Sequence, residues 1–126
     1  MRLVTGIALG VMALVSVFGS EPAAAQQLNG NQIEAITAGK VHRGTNPQGE
    51  AFVITYGADG ALQGALEKRI QHGTRKQIGD RGHWSIAGNK LCVQWSKWRG
   101  GTQHCGPVFK NGDVYSYGNG AAFKIE

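Results

Sequence analysis

His83-Trp84-Ser85-Ile86-Ala87-Gly88-Asn89-Lys90-Leu91-Cys92-Val93-Gln94-Trp95 is the stretch from which the architecture can be read. Trp84 and Ile86 alternate with polar or small neighbours, and Leu91, Val93 and Trp95 do the same beyond Gly88-Asn89. A period of two puts each set on one face of a strand, and a Gly-Asn pair tolerates the positive φ of a tight reversal. The stretch predicts a hairpin. Working outward, Phe52, Ile54 and Tyr56 alternate within residues 51–56, and Asp59-Gly60 supplies a turn before a second strand over residues 61–68. The run from Arg69 to Ile78 is polar and carries no readable period. Downstream, residues 103–110 predict a strand, Asn111-Gly112 a turn, residues 114–117 another strand, and Phe123 with Ile125 the last.

One helical pattern precedes them. Asn29 to Gly39 begins with capping residues, places Ile33 and Ile36 three apart, and ends on a glycine suited to the left-handed terminal position. Too short to be a domain, this helix is expected to pack its apolar stripe over an end or edge of the sheet. The remaining seven or eight short strands leave no room for crossover helices, so a parallel sheet is excluded. The expectation is a mainly β fold: an antiparallel up-and-down meander forming a small barrel or strongly curled sheet. An open sheet or small sandwich is the alternative. The turns Tyr56-Gly57-Ala58-Asp59-Gly60-Ala61 and Tyr117-Gly118-Asn119-Gly120-Ala121 resemble each other, as two similar hairpins would.

The 126 residues limit the chain to one domain, and their 41% hydrophobic and 17% charged content excludes a disordered or multipass membrane protein. Twenty glycines without a three-residue period point to frequent reversals and exclude collagen. Met1 and Arg2, the apolar run from Ile7 to Phe18 and the small residues Ala23 to Ala25 have the layout of a secretory signal peptide over residues 1–25. The mature domain is then 26–126, periplasmic or secreted by a bacterium. Cysteine occurs only at 92 and 105, far from the new amino terminus, so no lipid anchor is expected, and the run from Leu3 to Gly19, shorter than the roughly 20 residues of a comfortable span and followed by no Lys or Arg until Lys40, predicts cleavage and no stable membrane anchor. Arg2 and Glu21 cancel, so the net charge of +5 belongs to the mature domain. Such a charge makes an anionic partner plausible.

Two cysteines in an oxidising compartment predict one structural disulfide, Cys92–Cys105. Closing that loop stabilises the fold by roughly 3 kcal/mol on the chain-entropy model. His42, His72, His83 and His104 lack the paired spacing of a metal site, and solvated or singly hydrogen-bonded roles are expected for them. No nucleophile elbow, phosphate loop or dinucleotide fingerprint is present, and no carboxylate pair stands out. No catalytic residue, metal or cofactor is therefore expected, and a hydrolase is the weakest of the possible functions.

Two groups remain as candidate binding residues. Lys68, Arg69, Arg75 and Lys76 fall in the densest basic run of the chain, with His72 and Arg81 beside them and a lone Asp80 against them. They are a candidate anion-binding face, and a solvated edge that discourages strand pairing is the competing reading. Trp98 and Arg99 sit in a glycine-rich loop, where the indole could stack on a ligand or pack over the disulfide. Export disfavours nucleic acid as a partner. The motifs Tyr56 to Gly60, Gly82 to Ile86 and Gly88 to Cys92, followed by Cys105, resemble small exported bacterial β-proteins classed as domains of unknown function and regarded as lipocalin-like. The resemblance implies a fold and a location but no catalytic residue. The expected function is non-catalytic binding of a small ligand, an anionic envelope component or a protein. An envelope-associated structural protein, or an inhibitor of another protein, is the alternative. An internal cavity open at one end would favour ligand carriage, and a filled interior would favour a protein partner.

Overall fold

The computed structural model describes residues 24–126. Apart from Ala24 and Ala25, the predicted signal peptide lies outside them.

Ten antiparallel strands form one sheet: β1 (Gln26–Gln27), β2 (Lys40–Thr45), β3 (Ala51–Tyr56), β4 (Ala61–Arg69), β5 (Arg75–Ala87), β6 (Lys90–Trp95), β7 (Gln103–Gly106), β8 (Val108–Asn111), β9 (Val114–Tyr117) and β10 (Ala122–Ile125). Their spatial order is β1-β8-β9-β10-β2-β3-β4-β5-β6-β7. The curl follows from one residue. β7 and β8 stand eight places apart in that order, about 38 Å in a flat sheet at ~4.8 Å per strand, yet Pro107 alone separates them in sequence. Gly106 and Val108 can be no more than about 7 Å apart. The sheet must therefore roll until its margins meet. Among the described residues no strand pairing joins β7 to β8, so the result is a half-barrel rather than a closed one.

The predicted meander is present, but the strand count is ten and not seven or eight. Pro107 has no amide hydrogen to donate and splits the strand expected over residues 103–110. β1 is too short to show a pattern, and β2, Lys40-Val41-His42-Arg43-Gly44-Thr45, is too polar to read as a strand although it pairs with β3 and β10. The run that lacked a period belongs to β4 and β5, whose pairing continues to Arg69↔Arg75.

The helix is where the pattern put it. α1 (Gly30–Thr37) starts with a capping box: the Gln32 amide donates to the Asn29 side chain, and the Asn29 amide donates to the Gln32 side chain. Ile33 and Thr37 are its fully buried face. α1 touches β2, β5 and β6, and Gly30 donates its N–H to Asn89 Oδ1 in the β5–β6 turn. A Cβ at Gly30 would lie 2.3 Å from the Gly88 carbonyl oxygen, so only glycine lets the helix come this close. Asn89 thus supports the helix, and in its turn only Gly88 has a positive φ. The start of β2, the end of β3 and the β5–β6 turn share one end of the half-barrel, and α1 covers that end.

Candidate functional site

Strand alternation sends Phe52, Ile54 and Tyr56 from β3 and Leu91, Val93 and Trp95 from β6 to the concave face, where they line a cavity of about 540 Å³. Leu66 of β4 joins them. Asn46 of the β2–β3 turn, Arg99 of the β6–β7 turn, and Gly118 and Asn119 of the β9–β10 turn also line it. These turns lie at the end opposite α1, so the cavity opens there. Sequence alternation had identified most of this wall as core. The structure divides it: Phe52, Tyr56, Leu91 and Trp95 are buried, while Ile54, Leu66 and Val93 are half-buried against the open space.

Trp98 both packs and lines the cavity. Its ring lies 4.7 Å from that of Trp95, centroid to centroid. Both rings occupy space that a side chain on Gly64 would need, since a Cβ there would fall 2.6 Å from Trp95 and 2.8 Å from Trp98. Glycine at 64 therefore seats the two indoles against the sheet. The backbone N–H groups of Lys97 and Trp98 both donate to Asp80 Oδ2 at 2.8 Å. Burial pushes the Asp80 carboxyl up, but the amides of Trp98, Lys97 and Arg81 outweigh it and hold its pKa below the ordinary value. Arg99 follows with a φ of 55°, and Gly100 and Gly101 continue in the same left-handed region. Cys92 and Cys105 are bonded to each other and sit directly opposite in the β6–β7 pair, which fixes the strand leading from this turn.

Below the cavity lies a chain of buried polar groups. His42 Nε2 is 2.8 Å from the Ile36 carbonyl oxygen, so this nitrogen carries the proton and donates. His42 Nδ1 must then accept, and its partner at 2.7 Å is the Tyr117 hydroxyl. Tyr117 in turn accepts from the Tyr56 hydroxyl at 2.9 Å. Every member is satisfied in one direction only. Phe123 stacks on the His42 ring at 4.2 Å. Burial lowers the His42 pKa to about 4 despite its bond to Ile36, and burial raises both tyrosines well above their usual range.

This corrects the expectation for His42, which is fully buried and doubly hydrogen-bonded rather than solvated or bonded once. His72 and His83 are exposed and His104 is half-buried at the cavity wall. Among the described residues no three His, Cys, Asp or Glu side chains converge as a metal site would require. The resemblance between the two tyrosine-led turns has a physical outcome. In both, an amide donates to the carbonyl four residues on, from the first loop residue in one (Gly57 to Ala61) and from the last strand residue in the other (Tyr117 to Ala121), and the Asp59 or Asn119 side chain accepts from the alanine amide. Tyr56 and Tyr117 arrive from these turns to meet each other.

The structure does not bring the basic candidates to the cavity with Trp98 and Arg99. Lys68, Arg69, Arg75 and Lys76 stand on the part of β4 and β5 that reaches past Leu66, the last β4 residue paired with β3. Comparison of the chain with family models, curated proteins and solved structures finds no match.

Proposed function

We propose that the domain over residues 26–126 is an exported binding protein, without chemistry of its own, that holds a small apolar ligand inside the half-barrel. The carrying observation is the cavity: about 540 Å³, within the roughly 300–1,000 Å³ usual for ligand pockets, walled by aromatic and aliphatic side chains and open at one end. A site of this kind binds by taking apolar surface out of water, and Trp98 offers a flat face already held in place by Trp95 and Asp80. Arg99 and His104 at the wall would select among ligands by their polar groups. The bonded cysteines are consistent with an oxidising compartment. We place the protein in the bacterial periplasm or outside the cell, and the lipocalin-like resemblance supports the same reading.

The test is titration with the apolar fluorophore 1-N-phenylnaphthylamine. One molecule should bind per chain, and Trp98→Ala should weaken it about tenfold, as loss of part of an aromatic contact implies, with the circular dichroism spectrum unchanged. Absence of binding, or binding that Trp98→Ala and Ile54→Asn both leave unaltered, would overturn the reading. Native mass spectrometry of protein from its own compartment should show a copurified small molecule. A copurified protein would favour the interaction role instead.

A further inference from the structure

The pairing of β3 with β4 stops at Phe52↔Leu66, and that of β6 with β5 stops at Trp95↔Gly82. Beyond Leu66, β4 and β5 continue alone as a two-stranded ribbon to a tip at Ile70–Thr74, and every residue from Glu67 to Gln77 is exposed. Four residues at about 3.3 Å each carry Ile70 roughly 13 Å past the last three-stranded contact. Ile70 is 49% exposed, one of two large apolar side chains left open among the described residues. Behind it the register sets Arg69 opposite Arg75 and Lys68 opposite Lys76. These pairs fall on opposite faces of the ribbon. The one acid on the ribbon itself, Glu67, reaches Arg75 at 3.5 Å.

The free molecule offsets this arrangement only in part, through Glu67 on Arg75 and Glu50 beside Lys68 and Arg69. Like charges directly opposite on adjacent strands repel, and a two-stranded piece without a third strand is the least stable unit of a sheet. One strand of the ribbon is nevertheless anchored just short of the tip. Glu50 Oε2 accepts from the Arg69 backbone N–H at 2.9 Å, and Glu50 is itself held by the Asn46 side chain at 3.0 Å. An anchored projection whose four cations outnumber the two acids near them, Glu50 and Glu67, and whose tip is apolar is organised for contact with something anionic.

We propose that this ribbon docks the protein on an anionic lipid bilayer, with Ile70 entering the interface and Lys68, Arg69, Arg75 and Lys76 meeting the lipid phosphates around it. Placement selects the bilayer over other polyanions. A polysaccharide chain or a flat acidic protein face meets one side of a ribbon and offers no apolar interior to Ile70, whereas these cations stand on both sides behind an apolar tip. A headgroup layer entered tip first surrounds the ribbon on every side, with its apolar region ahead and its phosphates level with the basic residues. Each cation near such a surface adds about 1 kcal/mol, or about fivefold in partitioning.

The test is co-sedimentation of the purified protein with phosphatidylglycerol–phosphatidylcholine vesicles at low ionic strength. Binding should be strong there, fall with salt and vanish on phosphatidylcholine alone. Lys68→Gln/Lys76→Gln should reduce partitioning about 25-fold, while the charge-matched control Lys90→Gln/Lys124→Gln should change it less than about twofold. Ile70→Ser should reduce it about fivefold or more. All three variants should keep the thermal transition and the fluorophore binding of the parent, which separates this proposal from the cavity reading. The proposal is overturned by absence of binding at low ionic strength, by an equal loss in the control, or by Ile70→Ser binding as tightly as the parent. Tighter binding to dextran sulfate, indifferent to Ile70, would also overturn it and assign the ribbon to polysaccharide.

Discussion

The two ends of the half-barrel are built on opposite terms. At the covered end α1 bonds to His42 through the Ile36 carbonyl, His42, Tyr56 and Phe123 are all buried, and each ring nitrogen of His42 has its partner. At the open end the turns carry both of the non-glycine residues with positive φ found among the described residues, His72 at 64° and Arg99 at 55°. An L-residue there costs roughly 1–2 kcal/mol relative to the right-handed region. Stability is therefore concentrated beside the helix, and conformations that cost stability are kept where a ligand or surface would arrive. The contrast teaches where substitution should hurt folding and where it should hurt binding.

Ile33→Ala puts the contrast to its hardest test. Ile33 is completely buried between α1 and the sheet, so the truncation should cost about 3–4 kcal/mol in urea unfolding, while fluorophore affinity measured well below the transition stays within about twofold. A matching collapse of affinity would show that the two ends are not separable.

Acid provides the second test. The folded-state pKa of His42 is lowered from 6.5 to about 4, chiefly by burial. Between those values the unfolded chain takes up a proton that the folded one refuses, so this contribution is complete above pH 6.5 and is lost as pH falls towards 4. The loss should approach about 3 kcal/mol. Glu50 and Glu126 are held below their ordinary value of 4.5, Glu50 first by the Asn46 side chain and Glu126 first by Arg43. Their losses, and that of Asp80, begin only in more acid solution, so the upper part of the window reports His42. In His42→Leu, urea titrations between pH 6.5 and 5 should show this slope removed. A slope that survives would assign it elsewhere.

The smallest effect has the opposite sign. Arg99→Gly and His72→Gly relieve a left-handed residue, and each should raise stability by up to about 1 kcal/mol after the greater freedom of glycine in the unfolded chain is subtracted. Arg99→Gly should at the same time change which probes the cavity prefers, an anionic naphthalene sulfonate losing more than the neutral fluorophore. Destabilisation by both substitutions would erase the difference between the ends.

What the sequence could disclose followed the same division. Residues 51–56 and 83–95 alternate because one face of each strand is buried, and burial is what imposes a period of two. The ribbon has no buried face past Leu66, so Arg69 to Ile78 shows no period even though β5 runs through much of it. β2 was illegible for another reason. Its inward row is Lys40, His42 and Gly44, and no apolar residue marks that face. The cavity belongs to neither class: it exists because strands distant in sequence curl round one space, and alternation on a single strand cannot report a radius. The Tyr56–Tyr117–His42 chain likewise joins residues 61 and 75 positions apart. The similarity of the two tyrosine-led turns was its one visible trace.

The seam at Pro107 sets how this shell can widen. A closed barrel has to break backbone hydrogen bonds to admit a guest broader than its mouth. Here β7 and β8 are sewn at a single residue and, among the described residues, are not laced along their length. The β7 lip is stapled to β6 through Cys92 and Cys105, whereas the β8 lip is held by backbone hydrogen bonds to β1 and to Leu28, whose N–H donates to the Val108 carbonyl just before α1. The two margins of the seam are therefore fastened by different means, one by a covalent bond and the other by hydrogen bonds that a guest could exchange one at a time.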